Sequence, residues 1–70
     1  MEVKALVIEV QDRKAKVIAQ VSSKYMADAM ATGLQRMQQR GEMSDSKGYT
    51  YCEADRLQQF LSCFGYYLDE

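Results

Sequence analysis

The 70-residue sequence contains no histidine, proline or tryptophan, and it has only two cysteines and four glycines. Histidine is the most frequent general base and metal ligand, so its absence argues against the commonest catalytic and metal sites. The glycines are scattered and form no GxGxxG or P-loop motif, which argues against a phosphate-binding loop. We therefore expect no enzymatic activity, no catalytic residue, no metal site and no cofactor.

The two cysteines are expected to be free. Cys52 and Cys63 fall in a segment that predicts one helix, in which they would lie about 16 Å apart. A disulfide requires Cα atoms closer than about 7 Å, and the spacing is not that of a CxxC zinc motif. Both thiols are expected to behave as small side chains of the core.

The sequence also lacks the features of a membrane protein or a strongly basic nucleic-acid binder. No apolar run approaches the roughly 20 residues that span a bilayer, and the N-terminus lacks a signal-peptide pattern. The formal net charge of -1 provides no general attraction for nucleic acid or an anionic membrane. We expect a cytoplasmic protein without membrane association.

The composition, 47% hydrophobic and 27% charged, is typical of a folded domain rather than a disordered tail. No repeat, low-complexity tract or proline indicates a domain boundary, so residues 1–70 are expected to form a single small domain. In so short a chain, the burial of apolar surface barely offsets the entropy of ordering. Self-association or a bound partner is therefore expected.

An antiparallel hairpin is predicted at the N-terminus. The segments EVKALVIEV and AKVIAQV are rich in β-branched residues and flank the polar turn QDRK. A four-residue loop over residues 11–14 is preferred, because a two-residue type I′ turn would require positive φ at Asp12 and Arg13. The predicted cross-strand pairs are Val10 with Ala15, Glu9 with Lys16, Ile8 with Val17, and Leu6 with Ala19.

The second face of this hairpin is not fully polar, because the same register places Val7 opposite Ile18. A two-layer fold would leave these side chains exposed, so the patch is either covered by a second helix or buried against another chain. A homodimer sealed through Val7 and Ile18 is the structural possibility that this patch raises.

A first helix is predicted to start at Ser22 or Ser23 as the cap and to end before Gly41. Apolar residues recur in it at steps of three and four, which predicts an inward stripe. The residues of this stripe are Met26, Met30, Gly33, Leu34 and Met37. Core packing of the methionines is preferred over an adaptable binding groove.

A second helix is predicted from the capping-box pattern of Thr50 and Glu53, and Gly65 is predicted to end it. Its expected apolar face consists of Ala54, Leu57, Phe60, Leu61, Cys63 and Phe64. The alternation in GYTYC also fits a third strand, but a short extended piece at Tyr49 that leads into the helix is preferred. The predicted fold class is α+β, a two-stranded antiparallel hairpin packed with two helices in the order ββαα, with residues 66–68 free to add a short strand.

Protein recognition is the function class that the tyrosines favour, because tyrosine supplies large, rigid contact area at interfaces. The candidate partner-binding residues flank the second helix: Tyr49, Tyr51, Tyr66, Tyr67, Asp69 and Glu70. If the tail is extended, Tyr66 and Tyr67 face opposite ways, so that one packs inward and the other stays outside beside the terminal acids. Which tyrosine takes which role is left open.

A nucleic-acid-binding accessory protein is the alternative function. Its candidate contacts are the basic residues at the hairpin tip and at the end of the first helix: Arg13, Lys14, Lys16, Arg36 and Arg40. Cations in the last helical turn are also favoured by the helix dipole, and charged hairpin tips are common on solvated surfaces. A protein partner is therefore preferred over nucleic acid.

The N-terminal half resembles the start of some small phage-encoded anti-CRISPR proteins. The similar features are a hydrophobic strand running into EVQD, a tight polar turn, a second strand and a serine-capped helix from Ser23, and they cover about half of the chain. The shared letters are Glu9, Val10 and Gln11. The resemblance implies a non-enzymatic phage or mobile-element protein that occludes a site on a host effector complex in the host cytoplasm. Such a protein-binding regulator or inhibitor is the expected function.

Overall fold

The computed structural model describes residues 2–39 and 47–69. Its strands are β1 (Ala5–Gln11), β2 (Lys14–Val21), β3 (Gly48–Glu53) and β4 (Tyr67–Leu68), and its helices are α1 (Lys24–Gln39) and α2 (Leu57–Phe64). A short 3-10 helix, Ala54–Arg56, leads into α2. The α+β class and two helices are confirmed, but the order along the chain is ββαβαβ, so the predicted ββαα order is wrong.

The four strands form one sheet in the order β3-β1-β2-β4. β1 pairs antiparallel with both β2 and β3, whereas β4 runs parallel to β2. The strand that the tail was free to add is present at Tyr67–Leu68, although it is the fourth of the sheet. α1 covers one face of the sheet and α2 the other, so β1 lies in the middle of three layers.

The hairpin turn has two residues, and the predicted four-residue loop is wrong. Asp12 and Arg13 have φ of 53° and 66°, and Gln11 pairs directly with Lys14. A turn with two left-handed residues matches the right-handed twist of the flanking strands. This fit offsets the roughly 1–2 kcal/mol that a left-handed conformation costs at a residue such as arginine.

A β-bulge interrupts the hairpin. The predicted pairs nearest the turn are confirmed, but Val7 pairs with Ala19 and Leu6 with Gln20, so the predicted pairing of Leu6 with Ala19 is wrong. Ile18 is the extra residue, because Ile8 still pairs with Val17. The bulge shifts the alternation of side chains in β2 by one residue. Odd-numbered residues before it therefore face α2, and odd-numbered residues after it face α1.

Two hydrophobic cores result, one on each face. The core under α1 contains Ala5, Val7, Val21, Ala27 and Ala31, and the core under α2 contains Leu6, Ile8, Ala15 and Leu61. An unbroken register would place Ala19 and Val21 on the same face as Ile8, but after the bulge they pack under α1 instead. β1 is buried on both sides from Ala5 to Ile8, which explains its continuous apolar sequence ALVI.

α1 presents alanines to the sheet instead of the predicted methionine stripe. Ser23 caps it as predicted, since its Oγ accepts a hydrogen bond from the Tyr25 N–H at 3.2 Å. Ala27 and Ala31 are buried, and Leu34 packs against the same core, whereas the predicted methionines are 40–52% exposed. Small side chains let the helix backbone approach the sheet closely. The predicted end at Gly41 lies outside the described residues.

The segment before α2 is a strand, so the predicted capping box is wrong and the alternative third strand is confirmed. Thr50 lies in β3 opposite Ile8, and Glu53 forms an ion pair with Arg56, with Oε2 to Nε at 3.2 Å. Gly65 ends α2 as predicted, with φ of 67° and its N–H bonded to the carbonyl of Leu61. The left-handed conformation is one that glycine adopts without steric cost.

α2 packs with only part of its predicted apolar face. Leu61 is buried and Leu57 and Phe60 pack beside it, but Cys63 and Phe64 are exposed. Both cysteines are free, as predicted. Cys52, on β3, is half-buried in the α2-side core, and this burial raises the pKa of its thiol. The prediction of a core role is right for Cys52 and wrong for Cys63.

Candidate protein-binding surface

The predicted partner-binding tyrosines lie at opposite edges of the sheet. Tyr49 and Tyr51 belong to the edge strand β3, whereas Tyr66 and Tyr67 lie at or next to β4 on the other edge. Glu70 is outside the described residues. Because β1 and β2 separate the two pairs, they cannot form one surface within a single chain.

Tyr49 has a structural role. Its side chain is buried, and its hydroxyl donates a hydrogen bond to Oε2 of Glu9 at 3.2 Å. Its backbone N–H donates to Oε1 of Gln35 at 2.9 Å, which ties β3 to α1. The other carboxylate oxygen of Glu9 forms an ion pair with Nζ of Lys47 at 3.5 Å. Tyr49 therefore links β1, β3 and α1, and its ring is not available to a partner.

We expect replacing Tyr49 by phenylalanine to lower the free energy of unfolding by about 1 kcal/mol near pH 8, because Glu9 loses a partly buried hydrogen bond. Burial, and then the carboxylate of Glu9 with its hydrogen bond, raise the pKa of Tyr49 above its usual value of 10.0. A raised phenol pKa stabilises the fold below the unfolded pKa, and this contribution is lost as pH rises through the folded pKa.

The difference in the free energy of unfolding between wild type and Tyr49→Phe should therefore become smaller above about pH 10, where the phenol of the unfolded chain ionises. Urea denaturation of both proteins at about pH 8 and about pH 10.5 measures this difference. The other four tyrosines are present in both chains, so they cancel in the comparison. A difference that does not change with pH would contradict the buried contact with Glu9.

As predicted, one of the two C-terminal tyrosines packs inward and the other stays outside. Tyr66 is the inward one and Tyr67 the outward one. The ring of Tyr66 is half-buried and lies 5.7 Å from the ring centroids of both Phe60 and Phe64. Tyr67 is 71% exposed. Tyr66 therefore belongs to the α2-side core, and Tyr67 is the tyrosine left for an external contact.

Part of the sheet is left uncovered on the α1 side. α1 packs over β3 and β1, and its flank carrying Asp28 and Arg36 lines a groove with β3. The helical period places the exposed methionines on the opposite flank, toward β2. Ala15 belongs to the α2-side core, so alternation directs Lys14, and Tyr67 paired with it, to the α1 side.

We call this uncovered surface the open face. Its described residues are Lys14, Lys16, Met26, Met30, Met37, Tyr67 and Asp69. It combines two lysines and one aspartate, on or next to the strands, with a flank of flexible, apolar methionine side chains. The predicted stripe is right for Leu34 and wrong for its methionines. Ala27 and Ala31, each one position after a methionine, fit the same helical period and take the core positions instead.

The predicted basic residues do not form one patch. Arg13, Lys14 and Lys16 are exposed at the hairpin tip, whereas Arg36 lies on the β3 side of α1. Arg40 is outside the described residues. Asp69 is exposed next to the tip, since its N–H donates to the carbonyl of Ala15 at 2.8 Å. The tip region therefore carries both signs of charge.

The predicted dimer patch is not formed. Val7 is fully buried in the core under α1 and pairs with Ala19, while Ile18 is the partly exposed bulge residue. Of the two explanations considered for an apolar second face, cover by a second helix is the one observed. The burial of Val7 under α1 removes it from the surface on which the homodimer was expected to depend.

Few other features of the described residues suggest a chemical function. A cleft of about 610 Å³ at the end of the sheet away from the hairpin tip is lined by charges of both signs, among them Glu2, Lys4, Lys24 and Asp55. Within residues 2–39 and 47–69, no three side chains of histidine, cysteine, aspartate or glutamate converge as a metal site. Neither described helix is long and apolar enough to span a membrane.

Comparison with known proteins finds no matching family model, no matching curated protein and no matching solved structure.

Proposed function

We propose that this chain is a non-enzymatic protein-binding module that holds an apolar segment with acidic flanks on its open face. The observation that carries the proposal is the position of Tyr67, a 71% exposed ring on a hydrogen-bonded strand. Its N–H donates to the carbonyl of Arg13 at 2.8 Å, and Asp69 is bonded to Ala15. A ring presented by an ordered strand loses little entropy on binding, which favours affinity.

The methionine flank and the lysines indicate the chemistry of the partner. Unbranched thioether side chains adapt to different apolar shapes, and Met26, Met30 and Met37 provide three of them along one flank of α1. Lys14, which pairs with Tyr67, supplies positive charge beside the ring. A partner segment that combines apolar side chains with carboxylates complements both features.

We further propose that the chain is a small phage or mobile-element regulator. It would inhibit a host effector complex in the host cytoplasm. The support for this role is the resemblance of the N-terminal half to anti-CRISPR proteins. In this role, the open face covers a subunit surface that the complex needs, and inhibition follows from occlusion without chemistry.

Nucleic-acid binding is the second candidate, and one observation favours it. Tyr67 is exposed beside Lys14 and Arg13, and an aromatic ring among cations is the arrangement on which single-stranded nucleic acid stacks. The methionine flank offers no contact to a phosphate backbone, and the net charge of -1 provides no general attraction for nucleic acid. For this reason a protein segment is the preferred ligand.

Replacing Tyr67 by alanine is expected to weaken partner binding about 30-fold, the effect of losing an interface tyrosine worth roughly 2 kcal/mol. The partner is first captured from lysates of candidate hosts, identified by mass spectrometry and purified. Calorimetry then compares wild type with Tyr67→Ala. Tyr25→Ala is the matched control, because Tyr25 is 76% exposed at the start of α1, outside the open face.

Equal losses in the two tyrosine variants, or none in Tyr67→Ala, would contradict the assignment of the open face. A parallel titration with fluorescent single-stranded DNA and RNA at about 50 mM salt tests the second candidate. Tight binding that Lys14→Ala and Lys16→Ala weaken, and that falls steeply with salt, would replace the protein ligand by nucleic acid.

A further inference from the structure

We infer that the segment held on the open face is an amphipathic α-helix of another protein, which lies along α1 with Gly33 at the centre of the contact. This inference rests on the proposed function, because it names the form and the chemistry of the segment that the open face holds. The partner helix presents apolar residues at steps of three and four to α1, and acidic residues to Lys14 and Lys16.

The exposed flank of α1 that faces β2 has the spacing of a helix–helix contact. Its residues, which we call the seam, are Met26, Met30, Gly33 and Met37, and they follow one another at steps of four, three and four. Such steps form the narrow stripe along which two helices pack, with the side chains of one inserted between those of the other. An extended segment repeats every second residue and matches no such stripe.

The core stripe of α1 shows what a helix with these steps does. Ala27, Ala31 and Leu34 follow one another at the same steps, one position after the residues of the seam, and they pack against the sheet. α1 therefore carries two stripes of the same kind. The sheet covers one of them, and the seam is left for a partner.

Gly33 is not explained by the packing of the chain itself. The residue is exposed, and a Cβ added to it would meet nothing within 4 Å beyond its own stretch of helix. Among the described glycines with positive φ it does not appear, so its backbone does not require glycine either. Glycine is the least favourable residue after proline inside a helix. On the seam, it leaves a notch between Met30 and Met37 that can receive a large side chain of a second helix.

The sheet has room for one more helix on the α1 side. α1 lies over β3 and β1, so β2 and β4 are left uncovered. The midpoint between β2 and β4 is two strand spacings, or about 10 Å, from the midpoint between β3 and β1. Packed helices lie roughly 8–10 Å apart, so a helix over β2 and β4 contacts α1 along the seam.

The charges beside the seam indicate that the partner helix is acidic and belongs to another protein. Lys14 and Lys16 are exposed on β2 below this position, and Asp69 offsets only one of them. Carboxylates on the sheet-facing side of the partner helix would form ion pairs with the lysines. A second copy of this chain does not supply them from its described helices, because α2 has no charged residue and the acid of α1, Asp28, lies on the opposite flank.

The test uses a library of random peptides of about 20 residues, presented by mRNA display and selected on the immobilised wild-type chain. We expect the enriched sequences to carry apolar residues at steps of three and four, with aspartate or glutamate between them. Isolated helices of this length are marginal in water, so the circular dichroism of a selected peptide should gain helical signal when the chain is added.

Gly33→Gln tests the notch on the seam. The added side chain occupies the notch and should raise the dissociation constant of the selected peptide at least about tenfold, measured by fluorescence polarisation. Thr32→Gln is the matched control, because it adds the same side chain to an exposed position on the opposite flank of α1. The control should bind as tightly as wild type.

Gly33→Ala separates binding from folding. Since the added Cβ has open space and alanine favours the helix, the midpoint temperature of unfolding should rise by about 4 °C or more. A fall in this temperature would show that the chain needs the glycine for its own packing, and it would overturn the inference.

A charge swap tests the acidic flank of the partner helix. The double variant Lys14→Glu with Lys16→Glu should raise the dissociation constant of the selected peptide at least about tenfold. The same peptide with its acidic residues replaced by lysine should bind this double variant more tightly than it binds wild type. An affinity that does not respond to either exchange would contradict the ion pairs.

The outcomes distinguish this inference from the proposed function. Enriched peptides with apolar residues at every second position, or peptides whose binding Tyr67→Ala weakens and Gly33→Gln does not, would overturn the helix and leave the open face as a protein-binding surface. A selection without enriched peptides, together with tight binding of single-stranded nucleic acid, would overturn both.

Discussion

Replacing Val7 by aspartate is expected to leave the chain unfolded in buffer at about 25 °C. Val7, a residue of β1, is fully buried against the alanines of α1, in a core without a polar partner. Placing a carboxyl group there without a hydrogen bond or an opposite charge costs several kcal/mol. A chain of 70 residues has a total stability of only about 4–10 kcal/mol.

Ile18→Asp is the matched control, because it introduces the same group into the same hairpin. Ile18 is 38% exposed at the bulge, so the carboxylate can reach water, and we expect a loss of less than about 1 kcal/mol. Far-UV circular dichroism and urea denaturation of both variants measure the contrast. A folded Val7→Asp variant with wild-type stability would place Val7 at the surface and contradict the two-sided burial of β1.

Leu61→Ala is expected to lower the free energy of unfolding by about 3 kcal/mol, within the range for buried leucines. Leu61 is the buried residue of α2 and the centre of the packing between that helix and the sheet. Its carbonyl also accepts hydrogen bonds from Gly65 and Tyr66. Loosening α2 would therefore disturb the turn that positions Tyr66 and the strand after it.

Phe64→Ala, three residues later on the same helix, is the control for this variant. Phe64 is 62% exposed and contacts the rings of Phe60 and Tyr66, so its removal should cost no more than about 1.5 kcal/mol. Urea denaturation at fixed pH compares the midpoints and slopes of both variants. Equal losses from Leu61→Ala and Phe64→Ala would contradict the burial of Leu61 as the main attachment of α2.

The features that could be predicted from sequence depend on short-range chemistry. Ser23 caps α1 and Gly65 ends α2 because a serine oxygen and a glycine without Cβ meet requirements set by adjacent backbone. The pairs Val10–Ala15 and Ile8–Val17 follow from their closeness to the turn. The opposite roles of Tyr66 and Tyr67 follow from the alternation of an extended chain.

The errors concern choices made by distant parts of the chain. Thr50 and Glu53 match a capping box, but the same stretch gains hydrogen bonds along β1, some 40 residues earlier, when it is extended. A local sequence pattern carries no information about those distant hydrogen bonds. Likewise, methionine and alanine stripes one position apart fit the same helical period, and the need for a close approach to the sheet selects the alanines.

Only part of the candidate surface could be predicted, because the neighbours of Tyr67 are also set by distant parts of the chain. Tyr67 was among the candidate contacts, but its neighbours were taken to be the acids that follow it in sequence. The parallel pairing of β4 with β2 instead brings Lys14 beside it. Which tyrosine turns inward depends on the rings of Phe60 and Phe64 that receive it.

The bulge at Ile18 has a consequence for how this chain could evolve. Since Val17 already pairs with Ile8 and Ala19 with Val7, loss of Ile18 would join two correctly paired segments and leave every other core residue on its present face. Elsewhere in β2, a one-residue deletion would turn the remaining side chains to the wrong side. Ile18 is therefore a position where the length of the gene can vary by one codon while both cores survive.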